Sequence, residues 1–194
     1  RFLAAVDSCA RALDLDTGFS GAHIEECYWD YNATGNDFRV MLRAGQQRSC
    51  IENNKFQTES DTAATGKGIS LKGGDVKYSE IKGNLFIGRF DTTGDTQNGA
   101  AVIGADTTDT LDTNCLGLVI SGNKMLSTDT AVPFFIRMDT DNTNTGFVYD
   151  NYFATLDSGT ADTSKFVLGT ATTGTGLRMV HNYLGGDSVE KLIG

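Results

Sequence analysis

IENNKF at residues 51–56 and IKGNLF at 81–86 share the phrase Ile-x-x-Asn-x-Phe. Four lighter variants follow the same pattern: IEECYW at 24–29, ISGNKM at 120–125, VYDNYF at 148–153 and MVHNYL at 179–184. Phrase starts at 24, 51, 81, 120, 148 and 179 are 27, 30, 39, 28 and 31 residues apart. Periods of this length mean stacked structural units. The first position reads Ile24, Ile51, Ile81, Ile120, Val148, Met179 and the sixth reads Trp29, Phe56, Phe86, Met125, Phe153, Leu184. These are two apolar columns that stacking would bury. Between them the fourth position reads Cys27, Asn54, Asn84, Asn123, Asn151, Asn182. An Asn there suits a tight bend, because Asn tolerates a left-handed backbone and its amide can bond the amides above and below.

Each phrase is preceded by a second apolar run: ALDLD at 12–16, FRVMLRA at 38–44, GISLKG at 68–73, AAVIGA at 100–105, PFFIRMD at 133–139 and KFVLGT at 165–170. Bounded by Gly, Asp, Asn and Thr and rich in Val, Ile and Phe, these read as strands. No intervening segment reads as a helix. LVISGNKM at 118–125 fits the strand phrase of a leucine-rich repeat. That family, however, has shorter repeats with Leu-bearing links, whereas the links here are Thr, Gly and Asp.

Two apolar runs flanking a stacked Asn resemble the right-handed parallel β-helix of the pectate-lyase-like superfamily, over about residues 10 to 185. The resemblance implies an all-β fold, a right-handed parallel β-helix (β-solenoid) of about six coils. Six coils at a strand spacing of about 4.8 Å would make a prism about 29 Å long. Residues 1–194 then form one domain, with 1–10 (RFLAAVDSCA) as an N-terminal cap, strand or short helix, and 186–194 as the C-terminal end. The 39-residue interval places its excess in polar loops at 89–99 and 104–117, and such insertions tend to lie on the binding face.

The 194 residues carry a net charge of -9 and 39% hydrophobic content, enough apolar material for a core. This acidity argues against nucleic-acid binding, which needs clustered Lys and Arg. No apolar run is long enough to span a bilayer, and no leader reads as a signal peptide. The chain starts at RFLAAV without Met, as a processed product or a part of something larger would. Cys9, Cys27, Cys50 and Cys115 lack the spacing of a zinc site, and their disulfide state stays open.

Aligning the first runs by Leu15, Leu42, Leu71, Ile103, Ile136 and Leu168 places Asp16, Arg43, Lys72, Gly104, Arg137 and Gly169 in one outward column. A lyase acting on uronate polymers needs a cationic base and calcium-holding carboxylates. Arg43 and Lys72 with Asp106, Asp139 and Asp141 are therefore the catalytic candidates, and a solvated charged face accounts for the same residues. Asp106 and Asp139 could also form a glycosidase pair. The segment DTDNTNTG at 139–146 has alternating oxygen ligands that could hold Ca2+, or it is a turn. One residue earlier, the outward column reads Asp14, Met41, Ser70, Val102, Phe135, Val167. Apolar Met41, Val102, Phe135 and Val167 form an interface stripe, unless the register slips by one residue and turns them inward. Tyr28, Tyr152 and Tyr183, at the fifth phrase position, could stack on sugars.

Parallel β-helices of virion proteins often assemble as threefold bundles. On that resemblance the expected function is a structural virion module of a phage (capsid decoration protein, tail fibre or tailspike segment). The expectation is a homotrimer with other virion proteins as partners, located in the virion or outside the cell. A polysaccharide lyase or hydrolase, and a glycan-binding module without catalysis, are the alternatives.

Overall fold

The computed structural model describes residues 3–4, 11–15, 20–31, 38–43, 47–58, 67–72, 76–88, 101–105, 115–127, 134–137, 145–155, 167–168, 176–185 and 187–189. Every regular element among them is a strand. In chain order they are β1 (Leu3–Ala4), β2 (Arg11–Leu15), β3 (His23–Glu25) and β4 (Tyr28–Tyr31), then β5 (Phe38–Arg43), β6 (Cys50–Glu52) and β7 (Lys55–Thr58). Next come β8 (Lys67–Lys72), β9 (Val76–Lys77), β10 (Glu80–Lys82) and β11 (Leu85–Gly88), then β12 (Ala101–Ala105), β13 (Cys115–Leu116), β14 (Leu118–Ser121) and β15 (Lys124–Ser127). The chain continues through β16 (Phe134–Arg137), β17 (Thr145–Tyr149), β18 (Tyr152–Thr155), β19 (Val167–Leu168), β20 (Gly176–Val180), β21 (Asn182–Leu184) and β22 (Asp187–Val189).

These strands sort into three large sheets according to their place in the repeat. The first apolar runs make one sheet, β2-β5-β8-β12-β16-β19. The opening residues of the phrases make a second, the phrase sheet, β3-β6-β10-β14-β17-β20. The closing residues make a third, the post-bend sheet, β1-β4-β7-β11-β15-β18-β21-β22. All pairings are parallel except β21 with β22, where the chain turns back antiparallel at the end of the post-bend sheet. Each repeat adds one strand to each large sheet, and phrase residues pair with their equivalents: Ile24, Ile51, Ile81, Ile120, Val148 and Met179 are in register. Parallel β sheets with this connectivity are consistent with a β-solenoid.

The two apolar columns lie in the core, together with residues of the first-run sheet such as Ile69, Leu71, Ile103 and Ile136. The column members are buried: Ile51, Ile81, Ile120 and Val148 at position one, and Trp29, Phe56, Phe86, Met125 and Phe153 at position six. The aromatic column stacks, with ring centroids 6.1 Å apart for Trp29 and Phe56 and 4.7 Å for Phe56 and Phe86. The stack continues in an unexpected way. Where the column holds Met125 instead of a ring, Phe135 reaches in from β16, 6.3 Å from Phe86 and 5.8 Å from Phe153. Phe135 is therefore fully buried, and its assignment to an outward interface stripe is corrected: filling the space between two rings outweighs strict strand alternation, since burying a Phe is worth about 1.5–3 kcal/mol.

The bend within each phrase also differs in detail from expectation. The left-handed backbone falls on position three, at Glu26, Asn53, Gly83, Gly122, Asp150 and His181, with φ between 51° and 64°. Position four is the buried ladder. Oδ1 of each Asn accepts from both the backbone N–H and Nδ2 of the preceding phrase's Asn: Asn84 Oδ1 from Asn54, Asn123 Oδ1 from Asn84, Asn151 Oδ1 from Asn123 and Asn182 Oδ1 from Asn151, at 2.9–3.1 Å. Each Nδ2 also donates to the position-one carbonyl of the preceding phrase: Ile24, Ile51, Ile81, Ile120 and Val148. Cys27 begins the series by donating its N–H to Asn54 Oδ1 at 3.0 Å. A ladder of this kind satisfies the polar groups that a buried bend would otherwise leave unpaired.

A second left-handed corner lies just before the phrase, at Gly21 (φ 76°), Arg48 (φ 55°), Tyr78 (φ 53°) and Gly117 (φ 65°). Buried Ser49 and Ser79 follow it, with Ser49 N–H donating to Ser79 Oγ at 3.2 Å. At this level β9 and β13 pair as a small parallel sheet. Consequently the proposed 104–117 loop is shorter than expected: Gly104 and Ala105 belong to β12, and Cys115, buried in the core, belongs to β13. Residues 106–114 lie outside the described residues.

Candidate functional site

The sequence-derived catalytic candidates come together only in part. Arg43 and Lys72 are direct partners across β5 and β8, as expected. Beyond them the register departs from the alignment: Ile103 pairs with Ile69 rather than Leu71, so Gly104 lies beside Ser70 and not beside Lys72. Arg137 does pair with Gly104. At the last strand Val167 pairs with buried Ile136 and Leu168 with Arg137, a shift of one residue. Val167 is therefore the lateral neighbour of Ile136 rather than of Phe135. Met41 pairs with Ser70 as aligned, whereas Val102, between Ala101 and Ile103, stands level with Phe135. Asp106, Asp139 and Asp141, and with them most of the calcium-loop segment, lie outside the described residues.

The tyrosine column is real but divided. Tyr28, Lys55, Leu85, Lys124, Tyr152 and Tyr183 are lateral neighbours in that order. Tyr152 and exposed Tyr183 are adjacent, but Tyr28 is four strand spacings from Tyr152, about 19 Å. Instead, Tyr28 carries the Lys55 ammonium 5.1 Å from its ring centroid, a cation–π contact.

The densest chemistry among the described residues stands on the outer face of the phrase sheet. Register builds it: His23 pairs with Cys50, and Cys50 with Glu80, while Glu25 pairs with Glu52, and Glu52 with Lys82. His23 Nε2 donates to Glu52 Oε1 at 2.6 Å and lies 3.7 Å from Glu25 Oε2. Lys82 Nζ lies 3.1 Å from Glu52 Oε2 and 3.0 Å from Glu80 Oε2. Glu52 is thus shared, one oxygen to His23 and one to Lys82. The hydrogen bonds from His23 and Lys82 hold its carboxyl below the usual range. The hydrogen bonds that Lys82 donates to Glu80 and Glu52 push its ammonium above its own ordinary value. Burial pushes the Cys50 thiol up despite Lys82 beside it, so Cys50 is no activated nucleophile. His23, Cys50, Glu52, Glu80 and Lys82, with Arg48, Ser49 and Tyr78, line a shallow cleft of about 340 Å³. Cys27 and Cys50 are free thiols.

Farther along the same face the character changes. Of the two outward columns that hold the charges at one end, one continues through Val119 and Phe147 to Arg178 and the other through Ser121 and Tyr149 to Val180. Phe147 is 47% exposed, Tyr149 and Val180 37% each, and Tyr183 stands just past the bend. The cluster escaped the sequence reading because His23 is far along the chain from Cys50 and Glu52 and meets them only through register. The available signal was the phrase alignment itself, extended to positions flanking its first residue.

Comparison with protein-family models, curated proteins and solved structures produced no match to this chain. The likeness to the pectate-lyase-like superfamily therefore rests on its residues alone.

Proposed function

We propose that this chain is a structural module of a virion, a right-handed parallel β-helix of about six coils that assembles through one of its flat faces as a homotrimer. The observation that carries this reading is the exposed apolar patch of Phe147, Tyr149 and Val180 on the phrase sheet. Large apolar side chains clustered on an outer face mark an association surface. The patch takes over the role first given to Phe135, which is buried. A face made rigid by parallel pairing and a buried amide ladder suits a protein whose work is to keep its shape within an assembly containing other virion proteins. A phage capsid decoration protein, tail fibre or tailspike segment has these requirements.

Light scattering at neutral pH tests this reading. The expected mass is three times 20.8 kDa, falling to that of a single chain in the Phe147→Glu/Tyr149→Lys double variant. A monomeric wild type would remove the proposal. Phe135→Asp is unsuitable for this purpose, because that buried substitution would unfold the chain.

The adjacency of Arg43 with Lys72, and of Tyr152 with Tyr183, favours carbohydrate action as the second reading. It predicts saturable binding to an acidic polysaccharide, weakened by Tyr183→Ala. If the chain is a lyase, unsaturated ends would be released and lost with Asp139→Ala.

A further inference from the structure

The outer face of β3 and β6 gathers three different metal-ligating side chains on two neighbouring strands. One donor atom each from His23, Cys50 and Glu52 lies within 4.8 Å of the other two. We propose that these three atoms bind one zinc-like divalent transition-metal ion, a site that ties two successive repeats together. A mixed nitrogen, sulfur and carboxylate donor set is characteristic of zinc and its neighbours and unlike the all-oxygen sets of calcium and magnesium.

The geometry requires little change. Metal–donor bonds of about 2.0–2.3 Å in a tetrahedron put donors about 3.3–3.7 Å apart. The 2.6 Å contact between His23 and Glu52 therefore has to open by about 1 Å, and the third donor is already within reach. Parallel pairing fixes the relative positions of His23, Cys50 and Glu52 on the backbone. Lys82 engages Glu52 Oε2 and leaves Oε1 facing His23. The charges around the site are Glu25, Glu52 and Glu80 against Lys82 and Arg48, so the acids outnumber the bases. The fourth position is open to water or to a donor from a partner.

Binding is balanced by proton release. The Cys50 thiol gives up its proton to solvent as the sulfur–metal bond forms, and His23 exchanges its Nε2 proton through solvent for one on Nδ1, which frees the Nε2 lone pair to coordinate. This release makes binding weaken as the pH falls.

The test is titration of the full chelator-treated chain with Co2+, read by absorption. The expected result is a one-to-one thiolate-to-cobalt charge-transfer band in the near ultraviolet, reversed by Zn2+, absent in Cys50→Ser and retained in Cys27→Ser. A wild type without the band, or a band that survives in Cys50→Ser, overturns the proposal. Should circular dichroism show that Cys50→Ser has lost its β structure, His23→Gln on the exposed face decides instead. It is expected to weaken Zn2+ binding by at least about tenfold, the scale on which even outer-shell partners act, and unchanged affinity overturns the site.

Discussion

Asn123 shows how much depends on a single side chain here. It is fully buried, accepts from the N–H and Nδ2 of Asn84, and donates to Ile81 O and Asn151 Oδ1. Asn123→Ala would strand a backbone N–H and a carbonyl where water cannot reach them. At about 1–3 kcal/mol for each unsatisfied group, the expected loss is about 3 kcal/mol or more, read from the urea midpoint; a loss below about 1 kcal/mol would contradict the ladder. The column was legible in the sequence because one residue type recurs at one phrase position. The left-handed angle was not, since position three holds Glu, Asn, Gly, Gly, Asp and His and shares no side-chain property. Asn suits both a left-handed bend and an amide stack, so the pattern could not say which of the two it served.

At the scale of strands, β14 and β17 approach closely because Gly146 has no side chain. It pairs with Leu118 at φ 140°, and a Cβ there would collide with the Leu118 carbonyl oxygen and nitrogen. Gly146→Ala should therefore break the pairing locally, lowering the unfolding midpoint and removing hydrogen-exchange protection from Val119 and Phe147; unchanged protection in that variant would show the contact to be slack. Across β3, β6 and β10, Glu52 makes a pH-dependent contribution. Its folded value is lowered from the ordinary 4.5, so the stabilisation is fully present above that value and is lost as pH falls through the depressed folded value. The urea midpoints of wild type and Glu52→Gln should differ at neutral pH and converge as pH drops below 4.5. A gap that persists in acid would mean that the ion pairs do not produce it. Strand order within each sheet could be anticipated from the phrase, but register in the first-run sheet could not. The runs AAVIGA, PFFIRMD and KFVLGT offer several apolar residues in succession, and periodicity alone cannot choose among them. Phe135 was misplaced for this reason: what draws it inward is the gap beside Met125, a property of a different sheet.

Over the whole molecule, the ladder, the aromatic stack and the three sheets run along the same direction and reinforce one another from repeat to repeat. A stack whose units contact chiefly their neighbours gains stability through those interfaces, so the middle repeats should be the last to open and the ends the first. The antiparallel return of β22 onto β21 covers the last strand of the post-bend sheet, where an open parallel edge would invite pairing with another chain. The repeat itself gave away this architecture; the charged cluster and the apolar patch on the phrase sheet emerge only once register sets distant residues side by side. The central claim is that one buried amide ladder runs from Cys27 to Asn182. Hydrogen exchange of the side-chain amides in chain labelled with nitrogen-15 at Asn, followed by NMR, tests it most directly. The account predicts strong protection of the carboxamides of Asn54, Asn84, Asn123 and Asn151, set apart from exposed Asn53. Exchange of all of them at the rate of Asn53 would contradict it.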